Sequence, residues 1–158
     1  MIDDATIRSA TADDEPAIKG CVIAAYAKYV GRIGRRPAPM FADYLAAIVR
    51  GEVFVRGEPL CGFVVLIPAT DHIFLETIAV SPQLQRRGHG RALMAFAEGR
   101  ALELGLSEVR LYTGECMWEN RKMYRRLGYE EFDRRAENGY PRIFFKKILE
   151  NGRQQAPS

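Results

Sequence analysis

The segment Gln85-Arg86-Arg87-Gly88-His89-Gly90-Arg91 puts two glycines, three arginines and a histidine into seven positions. An apolar run, "HIFLETIAV", precedes it, and a helical apolar pattern through Leu93, Phe96 and Ala97 follows. A loop that opens a helix offers N–H groups without intrahelical acceptors and the positive end of the helix dipole. Glycines let that backbone approach an anion closely, and guanidinium groups match phosphate geometry. The same residues also suit a plain basic turn between a strand and a helix, and both readings stay open at this point. Two other phosphate loops are excluded. No G-x-x-x-x-G-K-S/T is present, and no G-x-G-x-x-G follows the first strand.

Two further groups have the chemistry of proton transfer. Glu76 interrupts an apolar run, and a carboxylate placed there calls for a reason. Desolvation would raise its proton affinity toward the range of a general base. The alternative is a carboxylate at a cleft mouth that pairs with an arginine. In "WENRKMYRRLGY", helical spacing gathers Asn120, Met123, Tyr124 and Leu127 on one face and turns Arg121, Lys122, Arg125 and Arg126 elsewhere. Tyr124 therefore faces inward with Asn120, either as a proton donor or as a core tyrosine. Cys116 has no histidine with an evident route to it, which favours a small filler over a nucleophile.

These groups need a frame. A strand is expected at Thr6 to Arg8. A helix follows, capped by Thr11 or Asp13 and broken by "VGRIGRRPAP". A second helix runs through Phe41, Tyr44, Leu45 and Ile48 to Gly51. "EVFVRGEPLCGFVVLI" reads as two strands around "RGEP", and "HIFLETIAV" as a strand apolar on both faces, hence central. Residues 90–104 form a helix stopped by Gly105. "EVRLYT" is a strand, "WENRKMYRRLG" a helix closed by Gly128, and "PRIFFKKI" the last strand. This order predicts a single α/β or α+β domain over residues 1–150 with a mixed sheet, and a frayed tail over 151–158.

Composition narrows the class. With 158 residues, 47% hydrophobic and 27% charged, the chain is sized for one globular domain. A net charge of +3 suits a small anionic ligand and is too weak to argue for nucleic acid, although Arg86, Arg87, Arg121, Lys122, Arg125 and Arg126 would be its candidates. No apolar run reaches the roughly 18 residues of a membrane span. Three cysteines far apart and two histidines argue against a disulfide framework or a metal site. With a polar start that is no secretion signal, they lead to the expectation of a reducing cytoplasm.

The pattern Q-x-x-G-x-G at Gln85, Gly88 and Gly90, with "AVSP" before it and "RALM" after it, resembles the acyl-CoA-binding motif of the GNAT family of N-acyltransferases. "ENRKMYRRLGYEEF" is similar to the family's later helix. The resemblance is strong over 73–132 and weakest in the first two helices. It implies one mixed, mostly antiparallel sheet, splayed between the fourth and fifth strands and flanked by about four helices. It implies that the backbone of Ile78, Ala79 and Val80 runs beside the pantetheine arm. Backbone N–H groups from Gln85 through Arg86, Arg87, Gly88 and His89 to Gly90, with Arg91 beyond, would hold the pyrophosphate. His89 fills a variable position there, so its backbone is what counts. Asn120 would meet the pantetheine or acyl side.

The implied reaction is direct transfer of acetyl from acetyl-CoA to a primary amine in a ternary complex, with no metal. The amine must be deprotonated, the carbonyl oxygen needs donors, and the leaving thiolate benefits from a proton. The resemblance assigns that last proton to Tyr124. Glu76 or a water chain would be the base, and the N–H of Ile78 or a neighbour the oxyanion donor. The family's acceptor wall corresponds to "YVGRIGRRPAPM", where Arg32, Arg35 and Arg36 either suit an acceptor carrying a carboxylate or phosphate or pair with surface acids in a solvated loop; Tyr26, Tyr29 and Tyr140 either add walls to the pocket or belong to the aromatic core. An amino acid, a peptide end or lysine, or a small amine would qualify. Family members are often dimers, so the resemblance implies a homodimer as one expectation. A non-catalytic acyl-CoA sensor of the same fold is the rival reading.

Overall fold

A computed structural model describes residues 6–150, so the tail expected at 151–158 lies outside the described residues. The strands are β1 (Ile7–Ser9), β2 (Val53–Arg56), β3 (Gly62–Pro68), β4 (Ile73–Val80), β5 (Glu108–Gly114), β6 (Glu130–Glu137) and β7 (Tyr140–Ile148). The α-helices are α1 (Glu15–Ile33), α2 (Tyr44–Val49), α3 (His89–Glu103) and α4 (Trp118–Arg126). The seven strands lie in the order β1-β2-β3-β4-β5-β7-β6, a mixed sheet in which β4 and β5 are parallel. By its contacts the chain divides into two compact units. One takes the described residues up to Leu66 together with Glu76–Phe96, and the other Ile67–Leu75 and the described residues from Ala97 onward.

In the first unit, β2 pairs antiparallel with both β1 and β3, with Ile7 opposite Arg56 and Val53 opposite Val65. The apolar stripe of α1, Ile18, Cys21, Val22, Ala25, Tyr26 and Tyr29, is buried. Ahead of α1, a 3-10 turn at Ala12–Asp14 is closed by the Thr11 N–H donating to Asp14 Oδ2 at 2.7 Å. Arg8 donates to both carboxylate oxygens of Asp14, at 2.8 and 2.9 Å, and these bonds lower its pKa from 3.8 to about 2. The expected break at "VGRIGRRPAP" comes late. α1 continues through Gly31 and ends where Gly34 turns left-handed at φ 84°, its N–H on the carbonyl of Val30. Phe41 lies in a separate 3-10 turn rather than in α2.

In the second unit, β5 pairs with β4 over Ile73–Leu75, and there the parallel register stops. β7 is antiparallel to β5 and β6, and Val109, Leu111, Ile143 and Phe145 are fully buried. β6 is an element that the sequence reading did not contain. It forms a hairpin with β7 in which Glu137 faces Tyr140 across the two-residue loop Asn138-Gly139, at φ 53° and 82°. Asn-Gly is the pair that most readily takes two positive φ values.

Candidate functional site

The loop after β4 is built from the first unit alone. Ser81 donates its N–H to the Cys61 carbonyl at 2.9 Å, and a 3-10 turn at Pro82–Leu84 follows. Gln85 Nε2 then donates back to the Val80 carbonyl at 3.0 Å. Arg86 and Gly88 adopt φ 66° and 90°, and α3 begins at His89. The chain thus turns twice through left-handed backbone before the helix. Arg86, Arg87, Gly88 and Arg91 are exposed. A Cβ at Gly88 would meet nothing within 4 Å, and one at Gly90 only Val80 Cγ2 at 3.9 Å. Packing therefore does not require glycine at position 90. The space beside both glycines is open, the start of α3 has N–H groups without intrahelical acceptors, and Arg86, Arg87 and Arg91 next to it in sequence are exposed. That arrangement fits a phosphate.

His89 is the exception among the loop residues. Its side chain is 5% exposed and turned into the unit, where Nδ1 accepts from Arg56 Nε at 3.0 Å and lies 3.5 Å from Cys61 Sγ. Only its backbone remains for an anion. Burial and then the Arg56 and Arg87 charges lower its pKa, which keeps the ring neutral.

β4 alternates. Ile73, Leu75, Thr77 and Ala79 are buried, whereas Phe74, Ile78 and Val80 are half-buried and Glu76 is exposed. β4 is central, as expected, between β3 and β5; one of its faces is closed, and the other is half-buried apart from Glu76. Glu76 shares the more open face with Phe74, Ile78 and Val80. Backbone groups alternate as well. Ala79 approaches β3 so closely that a Cβ at Gly62 would lie 2.8 Å from its carbonyl oxygen. Ile78 and Val80 direct their groups the other way. There Tyr26 Oη donates to the Ile78 carbonyl at 3.1 Å, and Gln85 holds the Val80 carbonyl. Sequence reasoning did not find the Tyr26 contact, which joins residues 52 positions apart.

Basic residues in the last turns of α1 and just after it lie over aromatic faces. Lys28 Nζ and Arg32 Cζ lie 5.2 and 5.3 Å from the centroid of the Tyr29 ring, and Arg36 Cζ lies 5.1 Å from that of Phe41. Tyr29 itself is 4% exposed and packs edge-on against Tyr26, so it supports this surface rather than forming it. Arg35 and Arg36 are exposed, as is Phe41.

In the second unit α4 carries Tyr124 and Asn120. Tyr124 is 2% exposed, with ring centroids 5.8 Å from Phe145 and 6.2 Å from Tyr129. Asn120 is half-buried and its Nδ2 donates to Thr113 Oγ1 at 3.5 Å. Lys122, Arg125 and Arg126 are exposed, as the helical spacing requires, whereas Arg121 is half-buried and donates to the Glu115 carbonyl at 3.0 Å. The neighbouring Tyr129 donates to Glu98 Oε2 at 2.9 Å, and Lys147 reaches the same carboxylate at 3.2 Å. Burial, followed by the Glu98 charge, pushes the Tyr129 hydroxyl far up, so this tyrosine stays protonated. Among the described residues no group of three His, Cys, Asp or Glu is placed to hold a metal, and no helix is long and apolar enough to cross a membrane.

The sequence matches the profile of the acetyltransferase (GNAT) family over residues 19–129. No curated protein matches the chain in sequence. Among solved structures, the PaiA N-acetyltransferase of Thermoplasma acidophilum in complex with coenzyme A superposes with TM-score 0.78 at 16% identity, covering 92% of this chain and 99% of that one. The ribosomal-protein-S18-alanine N-acetyltransferase of Escherichia coli gives 0.73 at 22% identity, covering 92% and 94%. A family acetyltransferase of Elizabethkingia anophelis with acetyl-CoA bound gives 0.70 at 20%, covering 93% and 99%.

Proposed function

The chain belongs to the acetyltransferase (GNAT) family, and from that membership we propose that it transfers acetyl from acetyl-CoA directly to a primary amine in a ternary complex. The observation that carries this reading is the loop between β4 and α3. Open space beside Gly88 and Gly90, a helix start and three exposed arginines make it a cradle for the pyrophosphate. Acetyl-CoA supplies the activated acyl carbon. Along Ile78, Ala79 and Val80, the outward backbone groups of Ile78 and Val80 offer a strand-like track for the pantetheine arm, while Ala79 faces β3. Tyr26 and Gln85 already hold two carbonyls on that edge, and each oxygen keeps a second lone pair.

The chemistry is assigned residue by residue from the resemblance. The amine attacks the thioester carbon as its free base, and Glu76 or a water chain takes up the proton. The exposed position of Glu76 leaves either route open to solvent. The Ile78 N–H steadies the charge that develops on the carbonyl oxygen. Tyr124 gives its proton to the sulfur as the C–S bond breaks, leaving an acetamide and free coenzyme A. Asn120 orients the pantetheine side. Arg35 and Arg36, with Arg32 on the Tyr29 face, recognise an anionic group beside the acceptor amine, which favours an amino acid or a peptide end. We place the protein in a reducing, cytoplasmic setting, where Cys21, Cys61 and Cys116 remain free thiols.

The test is to mix the protein with acetyl-CoA and a panel of amines and to measure released thiol. Turnover with amines that carry a carboxylate or phosphate is the expected result. Tight binding of acetyl-CoA without turnover on any amine would replace the enzyme with a sensor, and no binding at all would remove the cradle.

A further inference from the structure

Arg56 closes β2 and is 7% exposed, so a guanidinium lies inside the first unit. Burying that charge is costly, and its geometry shows one thing the cost provides. Arg56 Nε–H donates to His89 Nδ1 at 3.0 Å. Because Nε can only donate, Nδ1 must be the acceptor, and the ring proton sits on Nε2. The Cys61 thiol donates to the Arg56 carbonyl at 3.2 Å and lies against the same ring nitrogen at 3.5 Å. The His89 ring is thereby fixed from the end of β2 and from Cys61, the residue before β3. His89 is also the first residue of α3, between two glycines that have no side chains to anchor the loop. An apolar side chain would fill such a position at lower cost. A histidine held by a buried arginine adds direction, and it sets a cation behind the helix end that faces the anion.

We propose that Arg56 and His89 are a positioning pair for acyl-CoA: Arg56 locks the His89 ring, and the ring locks the first N–H groups of α3 in the pyrophosphate-binding geometry. This rests on the reading of the loop as a CoA cradle. Neither side chain touches the phosphates, and the pair acts on affinity for the nucleotide end.

The test is a double-mutant cycle on the full chain, with acetyl-CoA titrated calorimetrically. His89→Leu and Arg56→Met should each weaken binding about tenfold, and the double variant should be no weaker than either single one, because each change already breaks the pair. His89→Gln keeps an acceptor for Arg56 Nε and should recover affinity to within about threefold of the unsubstituted protein. Should Arg56→Met fail to fold, the Leu and Gln variants at position 89 still decide the matter. Equal losses for Leu and Gln would reduce His89 to a space-filling role and overturn the pair. Losses that add in the double variant, or unchanged affinity in both singles, would overturn it too. If the unsubstituted protein itself does not bind acetyl-CoA, what fails is the cradle reading beneath it.

Discussion

Gly90→Ala separates the needs of the fold from the needs of the ligand. Position 90 is in the first turn of α3, with no positive φ, and an added Cβ meets only Val80 Cγ2 at an ordinary 3.9 Å. Alanine is the better helix former by about 0.8–1.0 kcal/mol in a helix interior, and somewhat less at an end. The variant should therefore be about 0.5 kcal/mol more stable without ligand, or a rise in Tm of roughly 1–2 °C for a chain of this size. Binding should move the opposite way. The methyl group projects into the space assigned to phosphate oxygens and displaces at least one charge-assisted hydrogen bond, worth about 1.5–3 kcal/mol. At 1.4 kcal/mol per tenfold, acetyl-CoA should bind about 10- to 100-fold more weakly. Gly88 makes a poorer probe, since its φ of 90° strains any other residue and mixes folding with binding. A calorimetric titration and a thermal melt on the same sample measure both effects. Unchanged affinity in a folded Gly90→Ala protein would refute the cradle.

Other substitutions address separate parts of the molecule. Tyr124→Phe should lower kcat by about 10²–10⁴-fold while acetyl-CoA affinity stays within about twofold, and unchanged turnover in steady-state kinetics would end its role as acid. Gly62→Ala places a Cβ 2.8 Å from the Ala79 carbonyl and 3.2 Å from Leu93 Cδ1. This overpacking should cost about 1–3 kcal/mol by chemical denaturation; a loss below about 0.5 kcal/mol would mean that β3 and β4 yield freely. Asp14 is lowered from 3.8 to about 2, so its ion pair stabilises the fold above about pH 4 and is lost as pH falls through 2. Asp14→Asn should cost about 1 kcal/mol near neutrality, solvent screening included, and the gap should close between pH 4 and 2 in urea melts; a gap that persists at pH 2 would contradict the assignment.

What the sequence discloses depends on whether the signal is local. The glycine loop, the inward face of α4 and the ends of α3 and α4 are written in consecutive residues, and the structure places them where spacing puts them. β6 is the opposite case. Six of its eight residues, "EEFDRRAE", are charged, so no alternation marks it, and pairing with β7 makes it a strand. The turn signal was nonetheless present in Asn138-Gly139. The contacts of Tyr26 and Arg56 could not be found this way. Their partners, Ile78 and His89, stand 52 and 33 positions along the chain, and only folding brings them together. Glu76 is a local case: alternation alone groups it with Phe74, Ile78 and Val80, and that is the more open face of β4.

The three residues Gly88, His89 and Gly90 divide one task. A loop that binds an anion through its backbone must leave one side bare, yet a bare loop is entropically loose. Two glycines clear the outer side, where added Cβ atoms would find nearly empty space, while the single side chain between them points inward and is pinned by a buried guanidinium. Order is thus imposed from behind, by atoms that never compete with the ligand for the N–H groups. It follows that the histidine matters for the cradle in proportion to what holds it. Its substitution should be judged by whether the replacement still accepts a hydrogen bond from Arg56, and not by whether it resembles a phosphate-binding residue.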